Sequence, residues 1–564
     1  MVKNIVTIFN KDAAGNVFKT QENVSGIYSY GSMTSFKTFA NYTLPFPMPA
    51  SGVRYEPSVL APAVDGSGRV TTLFDINGTA NATAITGGTI PPGGAPKLVT
   101  DRLGRKALLF EGTNALEIAD TLSSYTTSGL TTYAVVCFFD PNDVNSQSMF
   151  SAGRNAGTPI NQIKAFMTTT NGIALGVPAN AFPAGPACAG KPLWDAAGVY
   201  GTERSAGNSR RKMPVHSGLQ VIAISGGVGG TGIIAMNDEY CSAIGAPTNN
   251  TVSVSGGEIG RYSFAPASTN YMSGLVYAMY IRKSATSASD MQANIAAIMA
   301  AYGIQPVTNR FILEGDSRFA NTGAKSLGES PYNYLQVKVA DLLPSSWSVI
   351  AASRGGTTID ADVGATGANI DAGMRNRWGY ANQSLFSGIF TLPGRNVVAV
   401  EDWYNDDGQT TVGNPRYTAA TFTAARADQI YANMQDFITN DATSVLSRGY
   451  EYLASIPMPA PTTKDPSLNE MRAKLRSANF FHDFLGAVGD TYAGKVRRAE
   501  TPLSMPIAGA WGSQVLDTGL TAGDGRIVSN GGLYFADQAH PNNSAAPHIA
   551  ACLVNRVLGA DPYV

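Results

Sequence analysis

The sequence predicts a multidomain chain in which an antiparallel β-sandwich is followed by a three-layer α/β/α unit built on a parallel sheet. Three observations carry this. At 564 residues the chain exceeds what one hydrophobic core accommodates. Over residues 64–303, short apolar runs are separated by Gly, Asn, Pro and Ser, the texture of many short strands joined by turns. After Pro306, apolar strands alternate with stretches of helical spacing, which implies a parallel sheet covered by helices on both faces. The expected division is an N-terminal packing or adaptor segment over 1–63, the sandwich over 64–305 and the α/β unit over 306–564.

In chain order, residues 5–9 and 17–18 read as strands around an Asp-Ala-Ala-Gly-Asn turn. The segment around them is aromatic and poor in charge, so it is expected to pack against the next domain or a neighbouring subunit. The clearest strands of the sandwich are 107–110, 116–118, 132–139, 172–175, 219–224 and 274–281. Residues 290–301 have helical spacing, with Ser287 or Ser289 as the cap. In the α/β unit, strands are expected at 310–314, 346–352, 396–400 and 450–456. Helices are expected at 331–343, 417–439, 468–485 and 543–558.

Composition removes several function classes. Formal net charge is -1 and the sequence pI is about 6.5, so nothing favours a nucleic-acid partner, which would demand a basic face or stripe. The local exceptions, Arg204 with Arg210-Arg211-Lys212 and Lys495 with Arg497-Arg498, lie among small residues and read as solvated loops or anionic-glycan contacts. Cys137, Cys188, Cys241 and Cys552 show no metal spacing and read as small buried hydrophobes, with a Cys188–Cys241 pairing left open. No run reaches the 18 or so apolar residues of a membrane span, and no secretory signal is readable over residues 1–12. The expectation is a soluble product made in the cytoplasm, reaching any extracellular role by lysis or by assembly into a particle.

The chemistry centres on Phe-Ile-Leu-Glu-Gly-Asp-Ser at 311–317, an apolar strand that breaks into Gly315-Asp316-Ser317. Parallel sheets carry their sites at the carboxyl ends of strands. Ser317, Gly355 and Asn405 each fall just past a predicted strand, which puts them on one rim. A serine needs a base whose tautomer a third group fixes. Of four histidines, His216 reads as a loop residue, while His482 and His548 read as packed helix residues. His540 alone has an acid three residues before it, Asp537, in a short loop that lets the carboxylate hold one ring nitrogen while the other faces Ser317. The backbone N–H groups of Ser317 and Gly355 and the amide of Asn405 are the candidate oxyanion donors, with Gly356 an alternative to Gly355. Arg354 and Trp403 are candidate substrate contacts.

Two resemblances follow from these residues. Leu-Phe-Glu-Gly-Thr-Asn-Ala-Leu-Glu-Ile at 109–118, Thr-Tyr-Ala-Val-Val at 132–136 and Met-Phe-Ser-Ala-Gly-Arg at 149–154 resemble concanavalin-like and laminin-G-like jelly rolls, as do the later runs at 234–238, 259–261 and 272–277. Such domains often bind glycans and are often spacers. Taken in order, Gly315-Asp316-Ser317, Arg354-Gly355, Asn405-Asp406 and Asp537-x-x-His540 resemble the four blocks of the GDSL/SGNH esterase and lipase family. That resemblance implies a flavodoxin-like parallel sheet, with Ser317 as nucleophile, His540 as base and Asp537 as orienting acid. Ser317, Gly355 and Asn405 would form the oxyanion hole. It implies ester hydrolysis through an acyl-enzyme, acetyl groups on sugars included, with no metal or other cofactor. Trp403 replaces the family's usual glycine two residues before Asn405, and Ser353 stands where asparagine is frequent.

The expectation is a carbohydrate O-deacetylase acting on a surface polysaccharide beside a lectin-like sandwich. The succession of segments looks similar to phage tail spikes or fibres, which implies a homotrimer on a virion acting at a host surface. The rivals are a general esterase or lipase, a non-catalytic adhesin, and a structural particle protein.

Overall fold

The structure, a computed structural model, describes residues 5–11, 17–23, 52–78, 80–86, 90–101, 103–118, 130–139, 147–152, 164–168, 172–176, 217–226, 232–237, 239–243, 257–261, 271–282, 284, 286–351, 353, 394–401, 424–440, 444–447, 449–455, 471, 473–475, 495–499 and 540–558. Ile5–Lys11 and Val17–Asn23 pair antiparallel, as expected.

Two antiparallel sheets follow. The first runs Glu239–Ala243, Gly232–Met236, Gln220–Gly226, Leu130–Phe138, Ser273–Arg282, Lys106–Glu111, Lys97–Thr100. Val53–Tyr55 also pairs with Ser273–Arg282, so this sheet draws on the 1–63 segment. The second runs Gly172–Gly176, Lys164–Thr168, Gln147–Ala152, Gly257–Ile259, Leu116–Ile118, Ala82–Ala84, Val70–Leu73, Ala63–Val64. Their facing side chains share one core: Leu108, Phe110, Val136 and Ile281 of the first meet Val70, Leu116, Phe150 and Ile259 of the second.

The first sheet is buried on its other face too. Leu109, Tyr133, Val135, Tyr277 and Tyr280 pack against Met291, Ile295, Ile298 and Tyr302 of helix α1 (Ala288–Tyr302) and against Tyr334 and Val337 of the α/β unit. This is why residues 133–139 read as one apolar block, without the polar alternation of a half-exposed strand. A bulge adjusts the neighbouring strand. Val135 pairs with Ala278 and Val136 with Val276, so Tyr277 is the extra residue and both Tyr277 and Ala278 face the helices. Ser287 is the cap of α1, accepting from the Asp290 N–H at 3.1 Å.

Among the described residues, the α/β unit has five parallel strands: β1 (Asn309–Gly315), β2 (Trp347–Ala351), β3 (Asn396–Glu401), β4 (Glu451–Ser455) and β5 (Val496–Ala499). Their order is β2-β1-β3-β4-β5, that of a doubly wound sheet. Helices α3 (Leu335–Leu342) and α5 (Ala546–Leu558) bury one face. On the other, Phe437, in the π-helical turn that continues α4 (Ala424–Gln435), meets the Tyr452 ring edge-on at 6.3 Å. A short helix, α2 (Thr322–Ser326), follows β1.

The sequence and the structure differ in three places. Residues 331–343 form a 3-10 turn, Pro331–Asn333, and then α3, with Tyr334 extended between them. The cause is Asn321, whose side-chain oxygen takes the Leu335 N–H at 2.8 Å and starts a new helix there. The last helix begins at Ala546 because Asn542 engages the N–H groups of Ser544 and Ala545 in a turn. The Arg497-Arg498 stretch is β5, not a solvated loop. Arg497 lies 3.6 Å from Glu451 and donates to the Val557 carbonyl, and Arg498 donates to the Leu475 carbonyl. Of the helices expected at 417–439 and 468–485, residues 417–423 and most of the second lie outside the described residues.

One carboxylate sits inside the first sheet. Glu56 accepts from the Tyr280 hydroxyl and pairs with Arg54 at 3.3 Å. Burial pushes its carboxyl above the ordinary value, and the Tyr280 and Arg54 contacts pull it back only in part. The native state therefore holds this proton longer than the unfolded chain does. The contribution to stability is full below the unfolded value and is lost as pH rises through the raised one. Glu56→Gln should gain stability relative to wild type as pH rises from about 4 to about 7, read from denaturant midpoints. A difference that is constant with pH contradicts this.

Candidate active site

Strand β1 pairs with β2 as far as Leu313 and Ala351, and with β3 as far as Gly315 and Glu401. Chain connections diverge between β1 and β3 in this order, which opens a crevice at the carboxyl edge of the sheet. The next residues of β1 enter it. Gly315 has φ +131°, and a Cβ there would overlap the Glu401 carbonyl oxygen, so only glycine allows β3 to approach this closely. The chain then turns sharply. The Asp316 N–H donates to the Glu401 carbonyl at 3.0 Å, and the Arg318 N–H donates to Asp316 Oδ1 at 2.8 Å. Ser317 sits at the apex, 7% exposed.

Behind the apex lies a charged layer. Arg318 Nη1 donates to Glu401 Oε1 at 3.1 Å, both side chains being essentially inaccessible, and Glu314 and Asp316 are also buried. This ion pair ties the loop after β1 to the end of β3. Ser353, the first described residue after β2, donates its hydroxyl to the Leu313 carbonyl at 3.0 Å.

His540 arrives from the other end of the chain. Ile549, Leu553, Val554 and Val557 of α5 pack with α3 on Phe311, Leu313, Val397 and Ala399, which brings the start of α5 to the carboxyl edge. Gly323 of α2 lets the His540-Pro541 backbone come close, since a Cβ there would overlap the carbonyl oxygens of both residues. The result is a hydrogen bond between His540 Nε2 and Ser317 Oγ, 2.9 Å apart across 223 positions of sequence. With the ring proton on Nδ1, Nε2 accepts from the serine hydroxyl, the geometry in which a base takes a proton from a nucleophile.

The structure thus unites Ser317 and His540. Asp537, Gly355, Gly356, Asn405, Arg354 and Trp403 lie outside the described residues, as do His216, His482 and Cys188. His548 lies half-buried on α5, and burial pushes its imidazole below the ordinary value. Cys137 is a buried hydrophobe as expected, its thiol pushed up by burial and donating to the Ser217 carbonyl at 2.7 Å, and Cys552 is a buried free thiol. Sequence reasoning did not single out Arg318 with Glu401, nor Gly323. The first pair sits inside or beside recognisable blocks, but nothing in the sequence marks Gly323 for a close approach to residue 540.

No protein-family model matches the chain, and no curated protein matches it. Among solved structures, domain 4 of the extracellular GH43 arabinanase AbnA of Geobacillus stearothermophilus is similar at 15% identity. It covers 43% of this chain and 97% of that one, with a TM-score of 0.29. Trypanosoma rangeli sialidase in complex with sialic acid is similar at 9% identity, covering 46% of this chain and 34% of that one, with a TM-score of 0.29. The chain spans about a third of the sialidase it matches. Superpositions this loose carry no argument about fold or activity.

Removing Arg318 strands a buried carboxylate. Arg318→Met should lower stability by roughly 3–5 kcal/mol in chemical denaturation, and adding Glu401→Gln should restore part of the loss. A second substitution that only adds to the damage would show that the pair is not the source.

Proposed function

We propose that this chain is a serine ester hydrolase of the GDSL/SGNH type that removes O-acetyl or other acyl groups from a surface polysaccharide. The observation that carries the reading is the 2.9 Å approach of Ser317 Oγ and His540 Nε2 at the switch point of a parallel sheet. Ser317 Oγ attacks the acyl carbon and passes its proton to His540 Nε2. The tetrahedral intermediate then collapses, the sugar oxygen leaving with that proton and the acyl group remaining on Ser317. Water, deprotonated by His540, attacks the ester and releases the carboxylic acid. Asp537 orients the imidazole, and the Ser317 and Gly355 N–H groups with the Asn405 amide take the oxyanion. Strands β2 and β3 end four residues before Gly355 and Asn405, a span of at most about 14 Å, so both donors are within reach of this edge.

The antiparallel sheets before this unit are read as a jelly roll that presents the glycan. The succession of N-terminal hairpin, sandwich and hydrolase supports a homotrimeric, virion-borne assembly of the tail-spike kind. Incubated with acetylated glycans, the wild-type protein should release acetate and a folded Ser317→Ala variant should not. Acetate release by that variant removes the nucleophile assignment, and activity confined to lipid esters replaces the polysaccharide with a lipid substrate. Asn405→Ala should slow turnover by roughly a hundred- to a thousandfold if its amide holds the oxyanion. A loss of only a few-fold reassigns Asn405 as a turn residue.

A further inference from the structure

The loops that carry Ser317 and His540 both reach the β-sandwich through side chains that perform no chemistry. On the first sheet, Lys106–Glu111, Ser273–Arg282 and Leu130–Phe138 end side by side. Glu111 pairs with Ser273, and the Phe139 N–H donates to the Ser273 carbonyl at 3.1 Å. That end presents two acceptors, the Glu111 carboxylate and the Phe139 carbonyl, and residues 330–336 dock across them. Gln336, fully buried, donates to the Phe139 carbonyl at 2.5 Å and accepts from Asn321 at 2.6 Å. Asn321 holds the left-handed φ of +58° that closes the turn after Ser317, and the Thr322 N–H beside it donates to the Ser317 carbonyl at 3.2 Å. Ser330 donates to Glu111 Oε1 at 2.9 Å, and the Ser330 carbonyl accepts from Asn543 Nδ2, also at 2.9 Å. Asn543 is three residues past His540, and its N–H donates to Glu329 at 2.7 Å. Lys97 lies 3.6 Å from the Glu111 carboxylate.

We propose that the edge of the sandwich is part of the catalytic apparatus. Glu111 and Gln336 are positioning residues, one acting on the His540 loop through Ser330 and Asn543, the other on the Ser317 loop through Asn321. Two loops 223 residues apart are thereby referred to one rigid surface. This rests on the reading of Ser317 and His540 as nucleophile and base. Both relays end on backbone groups or side chains of the catalytic loops, so breaking either shifts a reacting atom without touching substrate. A displacement on the order of 1 Å costs as much as a hundredfold in rate.

The test uses the full chain and a small fluorophosphonate, whose phosphorus bonds to Ser317 Oγ with loss of fluoride while His540 takes the serine proton. Its rate of labelling reads the alignment of the pair apart from glycan binding. Glu111→Leu and Gln336→Leu should each slow labelling at least about tenfold. On a small acetyl ester they should lower kcat with KM unchanged. Glu111→Gln keeps an acceptor for Ser330 and should label within about twofold of wild type. Wild-type labelling by a folded Glu111→Leu overturns the proposal, and that variant decides alone if Gln336→Leu does not fold, because Glu111 is only half-buried. A melting temperature lowered in step with labelling also overturns it, since the residues are then merely structural. A wild-type protein that does not label, or a Ser317→Ala variant that labels equally well, defeats the hydrolase reading itself and this proposal with it.

Discussion

Everything at the candidate site depends on α5 docking beside α3 on one face of the parallel sheet. Contacts between sequence neighbours cannot bring Ser317 to His540, since they lie 223 positions apart. What brings them together is an apolar layer in which Leu335, Val339 and Leu343 meet Ile549, Leu553 and Val557 above Phe311, Leu313 and Val397. Burying each such side chain contributes about 1.5–3 kcal/mol, which is ample to dock the helix. It is not enough to set its position along its axis. A shift of one helical turn moves the start of α5 by about 5.4 Å and destroys the contact with Ser317. Directional groups around His540 must supply that register, and Asn543, bonded to Glu329 and to the Ser330 carbonyl, is placed to do so.

The antiparallel sheet beside this unit also departs from the ordinary pattern. A sheet in a sandwich commonly buries one face and shows water the other. Here Leu130–Phe138 and Ser273–Arg282 are covered on both faces, by the second sheet and by the layer of α1 with α3. The bulge at Tyr277 serves that second burial by adding one more side chain to the helix-covered face. The contact continues at the edge of the parallel sheet, where the Ser217 N–H donates to the Val349 carbonyl at 3.0 Å and the Cys137 thiol holds the Ser217 carbonyl. An exposed edge strand invites pairing with another chain, and β2 meets the sandwich instead.

Much of the described fold was legible because it is written in period and punctuation. The apolar runs at 132–139 and 274–281 announced the central strands, and alternation after Pro306 announced the parallel sheet. β5 was illegible because two of its four residues are arginines, whose guanidinium groups meet the Glu451 carboxylate and the carbonyls of Val557 and Leu475. The break at Tyr334 was illegible for a similar reason. The helical spacing of 331–343 is real, but a side chain fourteen residues upstream captures the Leu335 N–H. At the site, Ser317 and His540 could be named because chemistry restricts which residue types serve. Arg318, Gln336 and Glu111 could not, since their contacts arise only from what the folded chain places beside them.

Glycine settles the final geometry more than it settles stability. At Gly315 the backbone of β1 lies against the Glu401 carbonyl, and at Gly323 the backbone of α2 lies against His540 and Pro541. Both are backbone-to-backbone contacts, so an added Cβ cannot be relieved by turning a flexible side chain. The neighbouring strand or loop itself has to move. At Gly315 that movement would separate β1 from β3, and at Gly323 it would push His540 away from Ser317. The 2.9 Å approach of Ser317 and His540 tolerates far less movement than the packing that surrounds it.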